Sequence, residues 1–288
     1  MAGSLAAQSL VSGLLVGMLY LLMALGFSLV FGVMKVVNFA HGEFYMLGGF
    51  GLYLCFAWLR LPFAVSVALV FGAAVVVGAA LEHAVLRPFR GDPLNGMVVT
   101  IGLALVLQNG ALWIFGPNPL SLPSVVSGAW RLGPLVVAAS RLYAAAFSLV
   151  VLAGFFCFLR YSAAGRALRA VVEDEEIARL QGIRAGLAYP WGFGLGTGLA
   201  AIAGALMAPL FSVSPFVGDT PLLKAFIVVI LGGFGSLPGA VLGSLILGVT
   251  DSVAGIYLSA SVADILQFVM VILVLIFRPT GLLGGSDI

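Results

Sequence analysis

The stretch Phe63–Ala80 (FAVSVALVFGAAVVVGAA) is almost continuously apolar and contains no charged side chain. It approaches the length of about 20 apolar residues that a helix needs to cross a lipid bilayer. A transmembrane β-strand would instead alternate polar and apolar side chains. The stretch therefore predicts a membrane-spanning helix and argues against a β-barrel.

The composition extends this conclusion to the whole chain. Of the 288 residues, 62% are hydrophobic, whereas only 13 are basic and 11 acidic. A soluble protein has roughly a quarter of charged residues, because most of its surface must meet water. A soluble enzyme, a nucleic-acid-binding protein and a disordered protein are therefore excluded for the chain as a whole. The composition predicts an all-α, polytopic integral membrane protein. We expect residues 1–288 to form a single domain within the lipid bilayer.

Eight apolar runs are long enough to be candidate spans. The start of the chain, Met1–Gln8, has no charge and so lacks the basic region of a signal peptide, and we expect the first run to be retained. Between the fourth and fifth runs, residues 116–135 are rich in Pro, Gly and Ser and predict an irregular surface loop. The runs are 10–33, 39–59, 62–86, 97–115, 136–159, 190–211, 222–250 and 261–278.

The distribution of arginine predicts the orientation. Segments 87–96 and 160–189 contain seven arginines, against three (Arg60, Arg131 and Arg141) in the segments on the other side. Positive residues near span ends favour the cytoplasm. We therefore expect 87–96 and 160–189 to be cytoplasmic.

The glycine-rich segment Gly232–Gly239 (GGFGSLPG) predicts a break in the seventh run. Arg278 at the end of the last run favours the cytoplasm. To place it there, 222–250 must be either two crossings or a re-entrant hairpin. The expected number of spans is therefore seven to nine. Leu47–Gly51 (LGGFG) recurs identically as Leu231–Gly235. The repeat is either chance or a sign of two glycine-interrupted helices in matching places, which in transporters often mark the substrate path.

Polar residues also begin the second run, in Asn38–Met46 (NFAHGEFYM). One interpretation is a helix N-terminus, with Asn38 as the cap and Glu43 complementing the helix dipole. The other is a gate or pathway, because ionisable groups in membranes face a bundle interior or water. The candidate pathway residues are Asn38, His41, Glu43, Gly48, Gly49, Gly232, Gly233, Gly235 and Ser236.

Motifs for catalysis are missing from the sequence. His41 and His83 have no neighbouring Cys or Glu at metal spacing, and there is neither a G-x-S-x-G elbow nor a nucleotide-binding P-loop. We expect no enzymatic activity, no metal site and no cofactor on this chain, so any energy from ATP must come through another subunit.

The remaining charges near span ends have ordinary explanations. Glu82 and His83 precede Arg87, where an interfacial ion pair or snorkelling is expected. Asp251 and Asp264 flank a link at 251–261, and we expect both to be solvated there.

The segment 160–189 contains a short amphipathic helix. Ile177 and Leu180 share a face at i, i+3, Glu175 precedes Arg179 at i, i+4, and Gly182 is a natural helix stop. It is either a solvated loop helix or a docking element for a soluble partner. The candidate coupling residues are Glu173, Asp174, Glu176, Ile177, Ala178, Leu180 and Gly182.

The segment around residues 173–183 and several others resemble those of a known family. Glu176–Gly182 (EIARLQG) is similar to the cytoplasmic E-A-A-x-x-x-G motif of ABC importer permeases, with Ile177 at a position where the strict motif has Ala. Over nearly its full length the sequence resembles permeases of branched-chain amino acid ABC importers, on the side of the smaller of their two permeases. The matching segments are Val37–Glu43 (VNFAHGE), Leu86–Pro88, Leu107–Asn109, Tyr161–Ala170 (YSAAGRALRA), Glu173–Asp174, Gly182–Ile183, Lys224–Phe226, Leu231–Ala240 (LGGFGSLPGA) and Arg278–Gly281.

The resemblance implies a transport subunit with several partners. It implies a second, homologous permease, two cytoplasmic ATPases that use ATP and Mg and dock on the helix at 173–183, and an extracytoplasmic substrate-binding protein. The location implied is the cytoplasmic (inner) membrane of a bacterium or archaeon. Members of the family import leucine, isoleucine and valine, other amino acids, or urea and short amides.

Two other functions remain open from the residues themselves. Broken helices and membrane carboxylates would suit a secondary transporter that uses an ion gradient. An apolar path lined by glycine would suit a passive channel for a small neutral solute such as urea.

Overall fold

The computed structural model describes residues 2–132 and 135–284, and its regular structure is almost entirely helical. Helix α2 continues into a π-helical turn at Tyr53–Trp58, and α3 continues into turns at Glu82–Leu86 and Arg87–Phe89. The helices are α1 (Ala2–Met34), α2 (His41–Leu52), α3 (Phe63–Leu81), α4 (Pro93–Phe115), α5 (Ala139–Tyr161), α6 (Ala163–Glu173), α7 (Glu175–Leu180), α8 (Ala185–Met207), α9 (Asp219–Gly232), α10 (Leu237–Tyr257) and α11 (Ala260–Phe277).

Seven helices of the described chain are long and apolar enough to cross a membrane. They are α1, α3 with its following turns, α4, α5, α8, α10 and α11, which confirms the prediction of a polytopic all-α membrane protein. The count lies at the lower end of the expected range because the run 39–59 forms no counted span, and the run 222–250 divides into the short α9 and the span α10. Helix α2 has 12 residues and α9 has 14, too few for a simple crossing.

A small β-hairpin replaces part of the predicted surface loop. Strand β1 (Ala129–Leu132) pairs antiparallel with β2 (Leu135–Ala138), with Trp130 opposite Val137. Residues 133–134, which include the loop proline Pro134, lie outside the described residues. The run expected to begin at 136 therefore starts as a strand, and α5 begins at Ala139.

Helices α1 and α8 form the centre of the bundle. In the most apolar part of each, 72% of α1 and 83% of α8 is buried, compared with 17% in α4 and α11. Helix α8 packs against α1, α2 and α3, and α1 also packs against α9 and α10. The peripheral helices expose large apolar side chains such as Trp113 and Phe277, as expected for surfaces that meet lipid or another apolar partner.

Small residues allow the central backbones to touch. A Cβ atom placed on Gly48 of α2 would overlap the backbone of Ala201 in α8, and one on Gly204 would overlap the backbone of Tyr45. Close approach of this kind gives helices in lipid the dispersion contacts that replace the hydrophobic effect. The many glycines of the sequence therefore have a packing role at this interface.

Two short helices begin deep inside the bundle. His41, the first residue of α2, places Nε2 3.1 Å from the carbonyl oxygen of Met23, far from either end of α1. Gly42 and Gly218 are in backbone contact, since a Cβ on Gly42 would lie 2.6 Å from the oxygen of Gly218. The N-terminal ends of α2 and α9 therefore meet inside the bundle.

The repeated LGGFG segment has two different conformations. Helix α2 continues through its copy, Leu47–Gly51, without a break. In the second copy α9 ends at Gly232, and α10 begins at Leu237. The expected break in the seventh run is therefore present, whereas the idea that both copies interrupt a helix is wrong.

We expect Gly204→Ala to destabilise the protein by about 1–3 kcal/mol, because the added methyl group overlaps the backbone of α2. The matched control is Gly102→Ala in α4, where an added Cβ meets nothing within 4 Å, so the better helix propensity of alanine should preserve or raise stability. Thermal unfolding in detergent compares the two variants. Equal melting temperatures would contradict a packing role for Gly204.

Candidate functional site

The predicted coupling helix is two helices separated by one residue. Helix α6 ends at Glu173, and the side chain of Asp174 caps α7 by accepting a hydrogen bond from the Ile177 N–H at 2.9 Å. Gly182 follows α7 with a φ of 82°, a conformation that favours glycine. The structure thus places the acidic residues at a helix start, as expected, but Glu173 belongs to the preceding helix.

Helix α7 presents apolar side chains outward. Ile177 is 53% exposed and Leu180 is 83% exposed, whereas Ala178 between them is buried. Asp174 and Glu176 are also exposed. An exposed apolar pair with acidic neighbours is the surface expected of a helix that docks into a groove on another protein.

A series of polar contacts, which we call the polar chain, connects α7 to the turn at Glu82–Leu86 that follows α3. Glu82 is fully buried and accepts a hydrogen bond from Nε of Arg90 at 2.7 Å. The Arg90 guanidinium lies 4.2 Å above the ring of Tyr189. The Tyr189 hydroxyl donates to Glu175 at 2.7 Å, and Glu175 also accepts from Arg179 at 2.6 Å. The polar chain therefore links α7 to the turn after α3, although the two are distant in the sequence.

This pairing differs from the expected one. Arg87 contacts His83 at 3.5 Å, while Glu82 pairs with Arg90. The expected ion pair therefore exists at this position with a different arginine, because the turn at Arg87–Phe89 brings Arg90 back to α3.

Asn38, His41 and Glu43 are almost completely buried around the start of α2. Asn38 does not cap α2, whose N-cap is Ala40. Its Oδ1 instead accepts from the Ala40 N–H at 3.0 Å. Within the described residues, Asn38 Nδ2, His41 Nδ1 and Glu43 Oε2 have no hydrogen-bond partner. Buried polar atoms without partners are costly, which supports a functional interpretation of this segment over a purely structural one.

Glycine is needed in the link between α9 and α10. A Cβ on Gly232 would overlap the backbone of Gly239 and Ala240, so the two helices touch where the chain turns. Gly233 and Gly235 have φ values of 103° and 77°, which other residues rarely adopt. Ser236 caps α10 by accepting from the Gly239 N–H at 3.1 Å.

The two predicted sets of residues meet in one groove, which we call the α1–α6 groove. It has a volume of about 480 Å³ and lies between the end of α1, helix α6 and the α9–α10 link. Glu173 of the coupling set and Gly235 and Ser236 of the pathway set line it, together with Lys35 and Arg169. The pathway residues of α2 do not line this groove, so the predicted pathway set divides into a deep group and a group at the end of the bundle.

An ion network around the buried Lys224, which joins four helices, was missed by the sequence reasoning. Lys224 of α9 is 5% exposed, and its Nζ contacts Asp251 at 2.8 Å, Asp264 at 2.7 Å and the Gln267 side-chain oxygen at 2.6 Å. Tyr20 of α1 donates to Asp251 at 2.9 Å. All three donors of the lysine ammonium are used.

The expectation that Asp251 and Asp264 lie in a loop is wrong, although the Asp264 side chain is 53% exposed. Asp251 lies within α10, which extends to Tyr257, and Asp264 lies in α11. The sequence contains a weak signal for this site, since the lysine is an isolated charge within an apolar run. Nothing local identifies its partners, because they lie 27 and 40 residues away.

The comparison with known proteins agrees with this architecture. The family described as the permease component of the branched-chain amino acid transport system matches residues 9–275. The chain belongs to this family. The match covers every helix from α1 to most of α11, so it includes both the α1–α6 groove and the Lys224 network.

Individual relatives align with the permease over nearly its full length. It is 34% identical to the high-affinity branched-chain amino acid transport system permease protein LivH of Escherichia coli (strain K12), over 98% of this chain and 96% of the relative. It is 33% identical to BraD of Pseudomonas aeruginosa, with the same coverage, and 25% identical to a probable LivH of Methanocaldococcus jannaschii, over 92% of this chain and 89% of the relative. No solved structure gives a significant match.

We expect Lys224→Met to destabilise the permease by about 1–3 kcal/mol, because it leaves the partly buried Asp251 without its cation. The matched control is Lys35→Met, which changes the exposed lysine at the end of α1. Thermal unfolding in detergent measures both variants. Adding Asp251→Asn to Lys224→Met should recover part of the loss, and a double variant no more stable than the single one would contradict the pairing.

Proposed function

We propose that this permease is a membrane subunit of an ATP-driven importer of branched-chain amino acids. The observation on which the proposal depends is the exposed apolar face of α7, formed by Ile177 and Leu180. It provides a docking surface for a soluble partner on a chain that has no nucleotide-binding motif of its own. The names of the relatives refer to branched-chain amino acid transport, which supports that substrate class.

The proposal assigns the end of the bundle with α6 and α7 to the cytoplasm. The arginine-rich segments 87–96 and 160–189 both lie at this end, joined by the contact between Arg90 and Tyr189. Positive residues at span ends favour the cytoplasmic side. The membrane is then the cytoplasmic (inner) membrane of a bacterium or archaeon.

The complete importer needs four kinds of component. A second, homologous permease would complete the translocation path, and two cytoplasmic ATPases would bind ATP and Mg. An extracytoplasmic binding protein would deliver the amino acid and determine much of the specificity. This permease would supply the coupling helix α7 and one wall of the path.

Two sets of contacts offer routes from α7 into the bundle. The first is the polar chain from Glu175 through Tyr189 and Arg90 to Glu82 on α3. The second is α6, which borders the α1–α6 groove opposite the α9–α10 link. A shift of α7 on ATP binding would therefore act on α3 and on the link together, which suits rocking between two packed states.

Reconstitution in liposomes tests the proposal. We expect leucine uptake only when the second permease, the ATPases, ATP and the binding protein are all present, and accumulation against a gradient. Uptake by this chain alone that is abolished by an uncoupler would instead establish an ion-driven transporter, for which the Lys224 network offers ionisable groups in the membrane. Equilibration without accumulation would establish a passive channel.

The docking surface has its own test. We expect Leu180→Asp to reduce co-purification of the ATPase at least tenfold, because it places a charge in the apolar contact. The matched control is Val126→Asp, an exposed apolar position in the loop between α4 and β1 at the opposite end of the bundle. Unchanged ATPase recovery with Leu180→Asp would contradict docking on α7.

We expect Tyr189→Phe to lower ATP-driven uptake several-fold while the ATPase remains bound, because the variant keeps the ring under Arg90 but loses the hydroxyl that donates to Glu175. The measurement is the ratio of leucine transported to ATP hydrolysed. An unchanged ratio would show that the polar chain does not transmit the movement of α7.

A further inference from the structure

The α1–α6 groove has the size and position of a ligand site. Its volume of about 480 Å³ lies within the range of about 300–1,000 Å³ that small-molecule sites occupy. Its walls come mainly from α1, α6 and the α9–α10 link, with Leu159 of α5 and Leu283 beyond α11 completing them. A molecule bound there would touch both the segment that leads to α7 and the glycine turn between two helices.

Three charged side chains line the groove without pairing with one another. They are Lys35, Arg169 and Glu173, and none of them forms an ion pair within residues 2–132 and 135–284. The contact recorded for Lys35 is a long one, 3.4 Å from Nζ to the carbonyl oxygen of Val172. The groove therefore presents two cations and one anion whose charges remain available to a ligand.

Apolar side chains form the rest of the wall. Leu29 and Phe31 of α1 face the groove, as does Leu237 at the start of α10. The ring of Phe31 packs against that of Phe234 with 4.6 Å between centroids, which closes one side of the groove. A ligand that fits would carry charges of both signs and an apolar group.

The backbone of Lys35 provides an independent sign of function. Its φ is 54°, one of two positive values recorded for residues other than glycine in the described chain. The residue ends α1, with its N–H donating to the Phe31 oxygen at 2.7 Å. Glycine adopts this conformation without strain, so a lysine here keeps a cation at the groove at the expense of backbone strain.

We propose that the α1–α6 groove binds a zwitterionic α-amino acid with an apolar side chain. Lys35 and Arg169 bind its carboxylate, Glu173 binds its ammonium group, and the side chain packs against Phe31 and Leu237. The identity of the amino acid, a branched-chain one, rests on the proposed function. The site differs from a path for entry, because it opens at the end of the bundle assigned to the cytoplasm and lies beside the coupling segment.

Occupancy of this groove makes the importer sensitive to its product. The ligand bridges α6 and the α9–α10 link. It therefore stabilises the packed state in which the distance between these two walls matches the length of the ligand. In the proposed function, the ATPase cycle moves α6 and α7 relative to the bundle. Accumulated amino acid on the cytoplasmic side therefore slows hydrolysis by stabilising one state.

Direct binding of leucine tests the site. The sample is the assembled importer in lipid nanodiscs without the binding protein, and the probes are leucine, 4-methylpentanoate, which lacks the ammonium group, and 3-methylbutylamine, which lacks the carboxylate. We expect each analogue to bind at least tenfold more weakly than leucine. Equal binding of leucine and either analogue would overturn recognition of the zwitterion.

Two variants locate the binding. Lys35→Gly removes the ammonium group and relieves the positive φ, so the fold is preserved, and Glu173→Gln removes the charge with little change of shape. We expect each to weaken leucine binding at least tenfold. The matched control, Arg166→Gln, removes a cation of α6 that does not line the groove and should leave binding unchanged.

Hydrolysis supplies the functional readout. In nanodiscs, leucine should lower the rate of ATP hydrolysis by the wild-type importer. For the Lys35→Gly variant, the rate with leucine should equal the rate of the same variant without leucine. An importer that accumulates leucine but shows no binding dependent on Lys35 and Glu173 would overturn this inference and leave the proposed function standing. Failure of ATP-driven uptake would overturn the proposed function instead. An anionic phospholipid held by Lys35 and Arg169, and not displaced by leucine, would also overturn the inference.

Discussion

Close backbone contact between α8 and its neighbours is the interaction on which the other features depend. Lipid offers no water to drive helices together, so they associate through dispersion contacts that small residues permit. Glycines at 48 and 204 bring α2 against α8 with no side chain between the backbones. That contact holds a 12-residue helix at a depth where it could not remain alone, and it places the polar start of α2 against the start of α9. The deep polar groups follow from this packing.

Much of the fold could be predicted from the sequence because the membrane imposes local rules. Long apolar runs become spans, glycine allows the turn between α9 and α10, and acidic residues begin α7. The rules fail where the outcome depends on distant partners. Nothing near Asp251 indicates that α10 continues past it, and the partners that stabilise the carboxylate there, Lys224 and Tyr20, come from distant helices. The β-hairpin before α5 was missed for a related reason, because a proline-rich loop has no pattern that specifies pairing.

The candidate site was also only partly predictable. The resemblance of residues 173–182 to a coupling motif identified α7, and its exposed Ile177 and Leu180 agree with that assignment. Glu173 and Lys35 line the same groove, but they are 138 positions apart in the sequence, so their proximity could not be predicted. It results from α1 ending beside α6, where Gly32 lets Val172 approach the helix. Two charges from distant parts of the chain therefore share a cavity.

The Lys224 network also has a consequence for how the protein is made. Helix α9 is only 14 residues long and contains a charge, so it is a poor candidate for release into lipid as soon as it is synthesised. Its counter-charges Asp251 and Asp264 are added to the chain 27 and 40 residues later. We therefore expect α9 to stay out of the lipid until α10 and α11 have been synthesised. We expect the last three helices to enter the bilayer as one unit, since the charges of α9, α10 and α11 neutralise one another only in the assembled bundle.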